Sequence, residues 1–185
     1  MISCNDLRPG MGFKYDGNIF TVLDTWHNKT AMRQMVIKIK AKNLRTGSIT
    51  DISMTGGDKV ETIHLEKREM QYLYDDGMGL VFMDTENYEQ VSINKDRLKW
   101  EMNFLKENGT AEITYYEGEI LGIALPSKVT LRIVETEPAV RGDTAKTATK
   151  DATLETGFVI RVPLFVGQDE EVIVRTDTGE YDSRA

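Results

Sequence analysis

Six cations, Lys29, Arg33, Lys38, Lys40, Lys42 and Arg45, lie between Asp24 and Asp51 with no carboxylate side chain among them. A one-sign run in a chain of net charge −7 has the chemistry of a surface that meets phosphate, which makes RNA or DNA the first partner to weigh. Taken alone, the run reads equally well as a solvated lysine-rich strand face. Other chemistry is poorly supplied. His27 and His64 are too few and too isolated for a triad or a metal site, Cys4 is the single cysteine, and no Gly-rich phosphate loop of the P-loop type occurs. The carboxylates show no pairing suited to acid–base work and read as solubilising surface. No enzyme, cofactor, metal or nucleotide is expected.

Charge is unevenly spread. Residues 1–63 carry nine Lys and Arg against six Asp and Glu, residues 64–126 six against thirteen, and residues 127–185 eight against eleven. Only the first third is basic, so a polyanion is gripped mainly from that end. With 185 residues, 40% hydrophobic and 29% charged, the chain is expected to be an ordinary globular protein. Asp6, Arg8, Lys14 and Asp16 interrupt the first twenty residues, so neither a signal peptide nor a membrane span is expected, and the cytoplasm follows as the location.

The elements that must position the cations are strands. Residues 12–16 and 18–24 alternate aromatic and β-branched with polar residues around Gly17. Met35, Ile37, Ile39 and Ala41 then share one face of a strand while Lys38, Lys40 and Lys42 share the other. Thr46-Gly47 turns the chain into 48–54. So many short strands close naturally into a small antiparallel barrel. The pattern restarts with a hairpin over 70–84 and a strand over 88–93. Leu98, Met102 and Leu105 then share a helical face, predicting a helix over 97–106. Strands over 110–116 and 119–125 end that block at Pro126. A third block has strands over 128–135, 157–162 and 171–176, with a polar stretch over 138–154 that signals little order. The expectation is an all-β protein of three small barrels in tandem, over 1–63, 64–126 and 127–185.

The run from Lys150 to Pro163, KDATLETGFVIRVP, resembles the C-terminal signature of the bacterial elongation factor P family, as does Glu135-Thr136-Glu137-Pro138 followed by Gly142-Asp143-Thr144. Val22-Leu23-Asp24, Asn43-Leu44-Arg45-Thr46-Gly47, Met70-Gln71-Tyr72-Leu73-Tyr74, Phe82-Met83-Asp84 and Phe104-Leu105-Lys106-Glu107-Asn108 are similar to that family too. The likeness runs from Asp6-Leu7-Arg8-Pro9-Gly10 to Tyr181 and Arg184, essentially the whole chain.

The resemblance implies an N-terminal SH3-like (KOW-like) barrel and two OB-fold barrels with an L-shaped, tRNA-like outline. It further implies a monomeric translation elongation factor that binds the ribosome, and its ribosomal RNA, between the P and E sites beside peptidyl-tRNA. There such a factor relieves stalling at consecutive prolines by positioning the substrate, without hydrolysing a nucleotide. The family's first barrel carries a hairpin tip, Pro-Gly-Lys-Gly, whose lysine reaches toward the peptidyl-transferase centre. An ungapped match puts Thr30-Ala31-Met32-Arg33 there, after Lys29, so Met32 replaces the lysine. That departure puts the usual lysine modification in question. The outward lysine face makes Lys38, Lys40 and Lys42 candidates for RNA contact, while the resemblance adds Tyr181 and Arg184 to them and makes Gly142, Asp143 and Thr144 candidates for a loop at the mRNA codon of the E site. Two alternatives stand beside it: a paralogue specialised for a restricted set of arrest motifs, and a generic OB-fold single-stranded RNA-binding protein, against which the acidic second and third blocks argue.

Overall fold

The computed structural model describes residues 1–29, 35–138 and 148–185. The all-β expectation holds: among the described residues sixteen strands form three sheets. The first comprises β1 (Ile2–Ser3), β2 (Gly12–Tyr15), β3 (Asn18–Asn28), β4 (Val36–Asn43), β5 (Ile49–Thr55) and β6 (Lys59–Ile63), in the order β1-β6-β2-β3-β4-β5. β7 (Glu66–Asp75), β8 (Gly79–Asp84), β9 (Gln90–Asn94), β10 (Thr110–Tyr116) and β11 (Glu119–Ala124) are ordered β11-β10-β7-β8-β9. β12 (Lys128–Thr136), β13 (Thr149–Leu154), β14 (Val159–Pro163), β15 (Glu171–Arg175) and β16 (Tyr181–Arg184) are ordered β14-β13-β12-β15-β16. The chain divides into two compact units, Met1–Arg68 with Ile113–Ile123, and Glu69–Glu112 with Ala124–Ala185.

In the first unit β4 is the central organiser. Its burial alternates strictly: Ile37, Ile39, Ala41 and Asn43 are buried while Val36, Lys38, Lys40 and Lys42 are exposed. Ile37, Ile39 and Ala41 join Cys4, Leu7, Phe13, Phe20, Val22, Ile52, Met54 and Val60 in one core, where the Phe13 and Phe20 rings stack with centroids 5.7 Å apart. A one-residue slip of β4 would drive three ammonium groups into this core, so its register is tightly specified. The buried Asn43 closes the following turn: its carboxamide oxygen accepts the backbone N–H groups of Arg45 (2.9 Å) and Thr46 (3.1 Å). Gly47, at φ +76°, supplies the left-handed residue that this turn needs.

The predicted helix over 97–106 is not formed. Its place is taken by two 3-10 turns, Lys95–Arg97 and Glu101–Asn103. Tertiary packing overrides the helical period here. The Trp100 indole N–H donates to the Thr176 carbonyl at 2.9 Å, and Phe104 enters the core formed by Leu131, Ile133, Leu154, Ile160, Val162 and their neighbours. Trp100, Phe104 and Phe158 meet edge to face with centroids 5.2–6.0 Å apart. A straight helix would point Leu98, Met102 and Leu105 together and leave Phe104 on another side.

The polar stretch over 138–154 also proves partly ordered, because its last six residues are β13. Lys150, Ala152 and Leu154 point inward from that strand, with Lys150 only 7% exposed and its ammonium donating to the Glu137 carbonyl at 2.7 Å. A lysine at an inward position erases the apolar alternation that marks a strand.

Candidate nucleic-acid interface

The lysine stripe lies on the outer face of the three-stranded β3–β4–β5 ribbon, and its three members differ in surroundings. Lys38 stands opposite Trp26 on β3 and Ser53 on β5. Lys40 stands opposite Asp24 on one side and Asp51 on the other, and Lys42 opposite Thr21 and Ile49. A register shift between Val22 and Asp24 adds Leu23 to β3, and brings Asp24 onto the lysine row. Charge available to a polyanion is therefore concentrated at the two ends of the stripe, Lys38 and Lys42. Successive outward residues of a strand are roughly 6.6 Å apart, so those two are separated by about 13 Å.

The remaining cations of the run sort the same way. Lys29 is exposed just beyond β3. Arg45 pairs with Glu119 at 3.2 Å and is thereby neutralised. Arg33, with Thr30, Ala31 and Met32, lies outside the described residues, as do Gly142, Asp143 and Thr144. Elsewhere in the same unit Lys14 sits 2.9 Å from Glu61, and its ammonium lies 5.8 Å from the centre of the Tyr116 ring. Hydrogen bonding to the Glu61 carboxylate, then to the Tyr116 hydroxyl, raises its affinity for its proton.

Two sequence candidates turn out to be engaged within the second unit. Tyr181 is half buried against the core of the β12–β16 sheet. Arg184 forms an ion pair with Glu170 at 3.1 Å, donates to the Phe165 carbonyl at 3.0 Å, and lies 4.6 Å from the centre of the Phe165 ring. The chain end is an ordered edge strand there. Sequence reasoning missed Trp26, which is 46% exposed beside Lys38. The signal that would find it is alternation: Trp26 falls on the outward phase of β3, opposite an outward lysine. Among the described residues no group of three or more His, Cys, Asp or Glu is placed to hold a metal ion, and no helix is long and apolar enough to cross a membrane.

Serial small sheets with a lysine-striped hairpin at the basic end give a tandem-barrel, all-β architecture with one basic outer face. Comparisons make the assignment specific. The elongation factor P KOW-like domain matches residues 3–60, the elongation factor P OB domain residues 65–123, and the elongation factor P C-terminal domain residues 129–184. The chain belongs to the elongation factor P family. Elongation factor P of Mesoplasma florum is 50% identical over 184 residues and that of Mycoplasma mycoides subsp. mycoides SC 51% over 184, each with 100% of both chains covered. That of Moorella thermoacetica is 46% identical over 185 residues, again with 100% of both covered. Among solved structures, the fold is shared with eukaryotic translation initiation factor 5A from Methanococcus jannaschii at a TM-score of 0.54 and 17% identity, over 67% of this chain and 91% of that one.

Proposed function

We propose that this translation elongation factor binds the ribosome between the P and E sites and steadies peptidyl-tRNA, so that slow peptide-bond formation at consecutive prolines proceeds. Three domains, 1–63, 64–126 and 127–185, divide the work. The first faces the peptidyl-tRNA and the last faces the E-site codon through Gly142, Asp143 and Thr144. The observation that carries this reading is the outward lysine stripe on β4, which follows the segment that the family resemblance aligns with the tip. Lys29, Lys38 and Lys42 contact phosphate. Lys40 contributes less because Asp24 and Asp51 offset its charge. Arg184 and Tyr181 serve the barrel that bears them, and present shape to RNA more than charge.

The chemistry belongs to ribosomal RNA. The factor contributes by holding the reactive ester in place, which removes part of the entropic barrier, and needs neither a nucleotide nor a cofactor. Proline's ring fixes its backbone and constrains the attacking nitrogen, so positioning has something to correct. The tip works unmodified: Met32 makes soft dispersion contact with ribose and base faces, and Arg33 and Lys29 supply the flanking charge. The factor acts as a monomer in the cytoplasm.

Reconstituted translation of a triple-proline reporter with wild type, Met32→Ala, Met32→Lys and Arg33→Ala tests this. Wild type should accelerate synthesis, and Met32→Ala and Arg33→Ala should fall below it. Equal rates for all four would remove the tip from the mechanism. Added mass on Lys29 or Met32 in protein from its own source, beyond oxidation, would defeat the unmodified tip.

A further inference from the structure

We propose that Trp26 and Lys38 form a platform for one unpaired RNA nucleotide, the indole stacking on the base while the ammonium meets the adjoining phosphate. This rests on reading the β3–β4 hairpin as an RNA-facing element, and adds to it a preference for unpaired over duplex RNA.

Trp26 and Lys38 are cross-strand partners, so their side chains leave the ribbon on the same face and side by side. Both are exposed, the indole to 46%. A half-exposed tryptophan on a strand face costs solubility and invites a flat apolar partner. The surroundings select the kind of partner. One step toward the hairpin end the outward row is Asn28, Val36 and Thr55, which carries no charge. One step the other way it is Asp24, Lys40 and Asp51, with carboxylates on both flanks. An anion is thus drawn to Lys38, and a strand running across the indole is kept from sliding along the ribbon by the two aspartates. Leu23, Val36 and Ile49 are also exposed on this unit, but aliphatic groups offer no π face to a base; Tyr15, 41% exposed, does offer one, but it pairs with Asn18 at the opposite end of β3 from Trp26 and Lys38. In a duplex the base faces are already stacked, so only an unpaired nucleotide satisfies the indole and the ammonium together.

The test uses the full chain with an adenosine 12-mer RNA and a blunt 12-base-pair RNA duplex, read by tryptophan fluorescence and by affinity across a salt series. Wild type should bind the 12-mer with quenching. Trp26→Ala and Trp26→Leu should both lose that quenching and bind about fivefold or more weakly, while Trp26→Phe keeps most of the affinity. Lys38→Gln should keep the quenching and lower the salt slope by about 0.7. Duplex affinity should be unchanged by the Trp26 substitutions. Wild-type 12-mer affinity in the Trp26→Ala and Trp26→Leu variants, equal losses on duplex and single strand, or failure of wild type to bind the 12-mer would each overturn the platform. The triple-proline assay separates the two readings. Stimulation by wild type alongside an indifferent Trp26 sinks the platform alone. Trp26-dependent quenching in a factor that does not stimulate sinks the proposed function alone.

Discussion

Lys40 stands directly opposite Asp24 across the β3–β4 ladder, with Asp51 opposite it on the other side. A phosphate approaching Lys40 meets two carboxylates at the same level of the ribbon, and their repulsion offsets most of the ammonium's attraction. Lys38→Ala should therefore lower the slope of log affinity against log salt for ribosomes or single-stranded RNA by about 0.7, one counterion's worth. Lys40→Ala should change it much less, and Asp24→Asn should raise it. A salt titration of the three variants decides; equal slopes for Lys38→Ala and Lys40→Ala would mean that the carboxylates leave the stripe uniform.

The hairpin between β7 and β8 should contribute to the protein's response to acid. Lys95 bonds the Asp75 carboxylate and the Gly77 backbone N–H donates to it at 2.8 Å, which together hold its pKa below the ordinary carboxylate value. Asp76 is shifted the same way, first by the Gly79 N–H at 2.7 Å, then by the Met78 N–H at 2.9 Å and the Ser92 hydroxyl at 2.9 Å. Both carboxyls bind protons less readily folded than unfolded. Their stabilisation is present above the ordinary carboxylate value of 3.8 and is lost as pH falls through the lower folded values. Melting temperature should drop as pH is lowered from about 5 toward 2. Asp76→Ala should lower it at neutral pH and flatten that acid limb; an unchanged limb would remove the turn from the acid response.

Much of this was legible in the residues because the strands of the first unit have one wet face and one dry face. Alternation at 35–42 declares both the core and the stripe. The uneven charge of the stripe was not legible, since the pairing of Lys40 with Asp24 depends on a bulge that adds Leu23, and a bulge leaves no mark in a single sequence. The segment 97–106 misled because hydrophobic period reports which residues are apolar, whereas Trp100 and Phe104 answer to partners far along the chain. Lys150 hid a strand by the same logic in reverse: its inward ammonium is satisfied by a carbonyl that no local pattern announces.

Those distant partners carry stability. Phe104 is 2% exposed and touches both Trp100 and Phe158, so Phe104→Ala should cost about 3–5 kcal/mol in urea unfolding. Trp100→Phe keeps ring contact but strands the Thr176 carbonyl, and about 1–2 kcal/mol should follow. Gly179→Ala belongs to the same set. At φ +76° its new Cβ would lie 3.0 Å from the Trp100 ring, so strain and crowding add there. A Phe104→Ala variant as stable as wild type would show that the aromatic group does not tie these elements together.

Arg184 gives the last discrimination, between a residue that touches RNA and one that holds its own barrel. Its guanidinium is shared among the Glu170 carboxylate, the Phe165 carbonyl and the Phe165 ring, so its charge is already matched. The contacts are exposed, and their loss should lower stability by no more than about 1 kcal/mol. Arg184→Gln should leave the salt slope of RNA binding unchanged, because removing a neutralised charge releases no counterion. Glu170→Gln should do the opposite, freeing the guanidinium and steepening the slope. If Arg184→Gln instead lowers the slope by about 0.7 with the fold intact, the ion pair yields to phosphate on binding and the residue belongs to the interface.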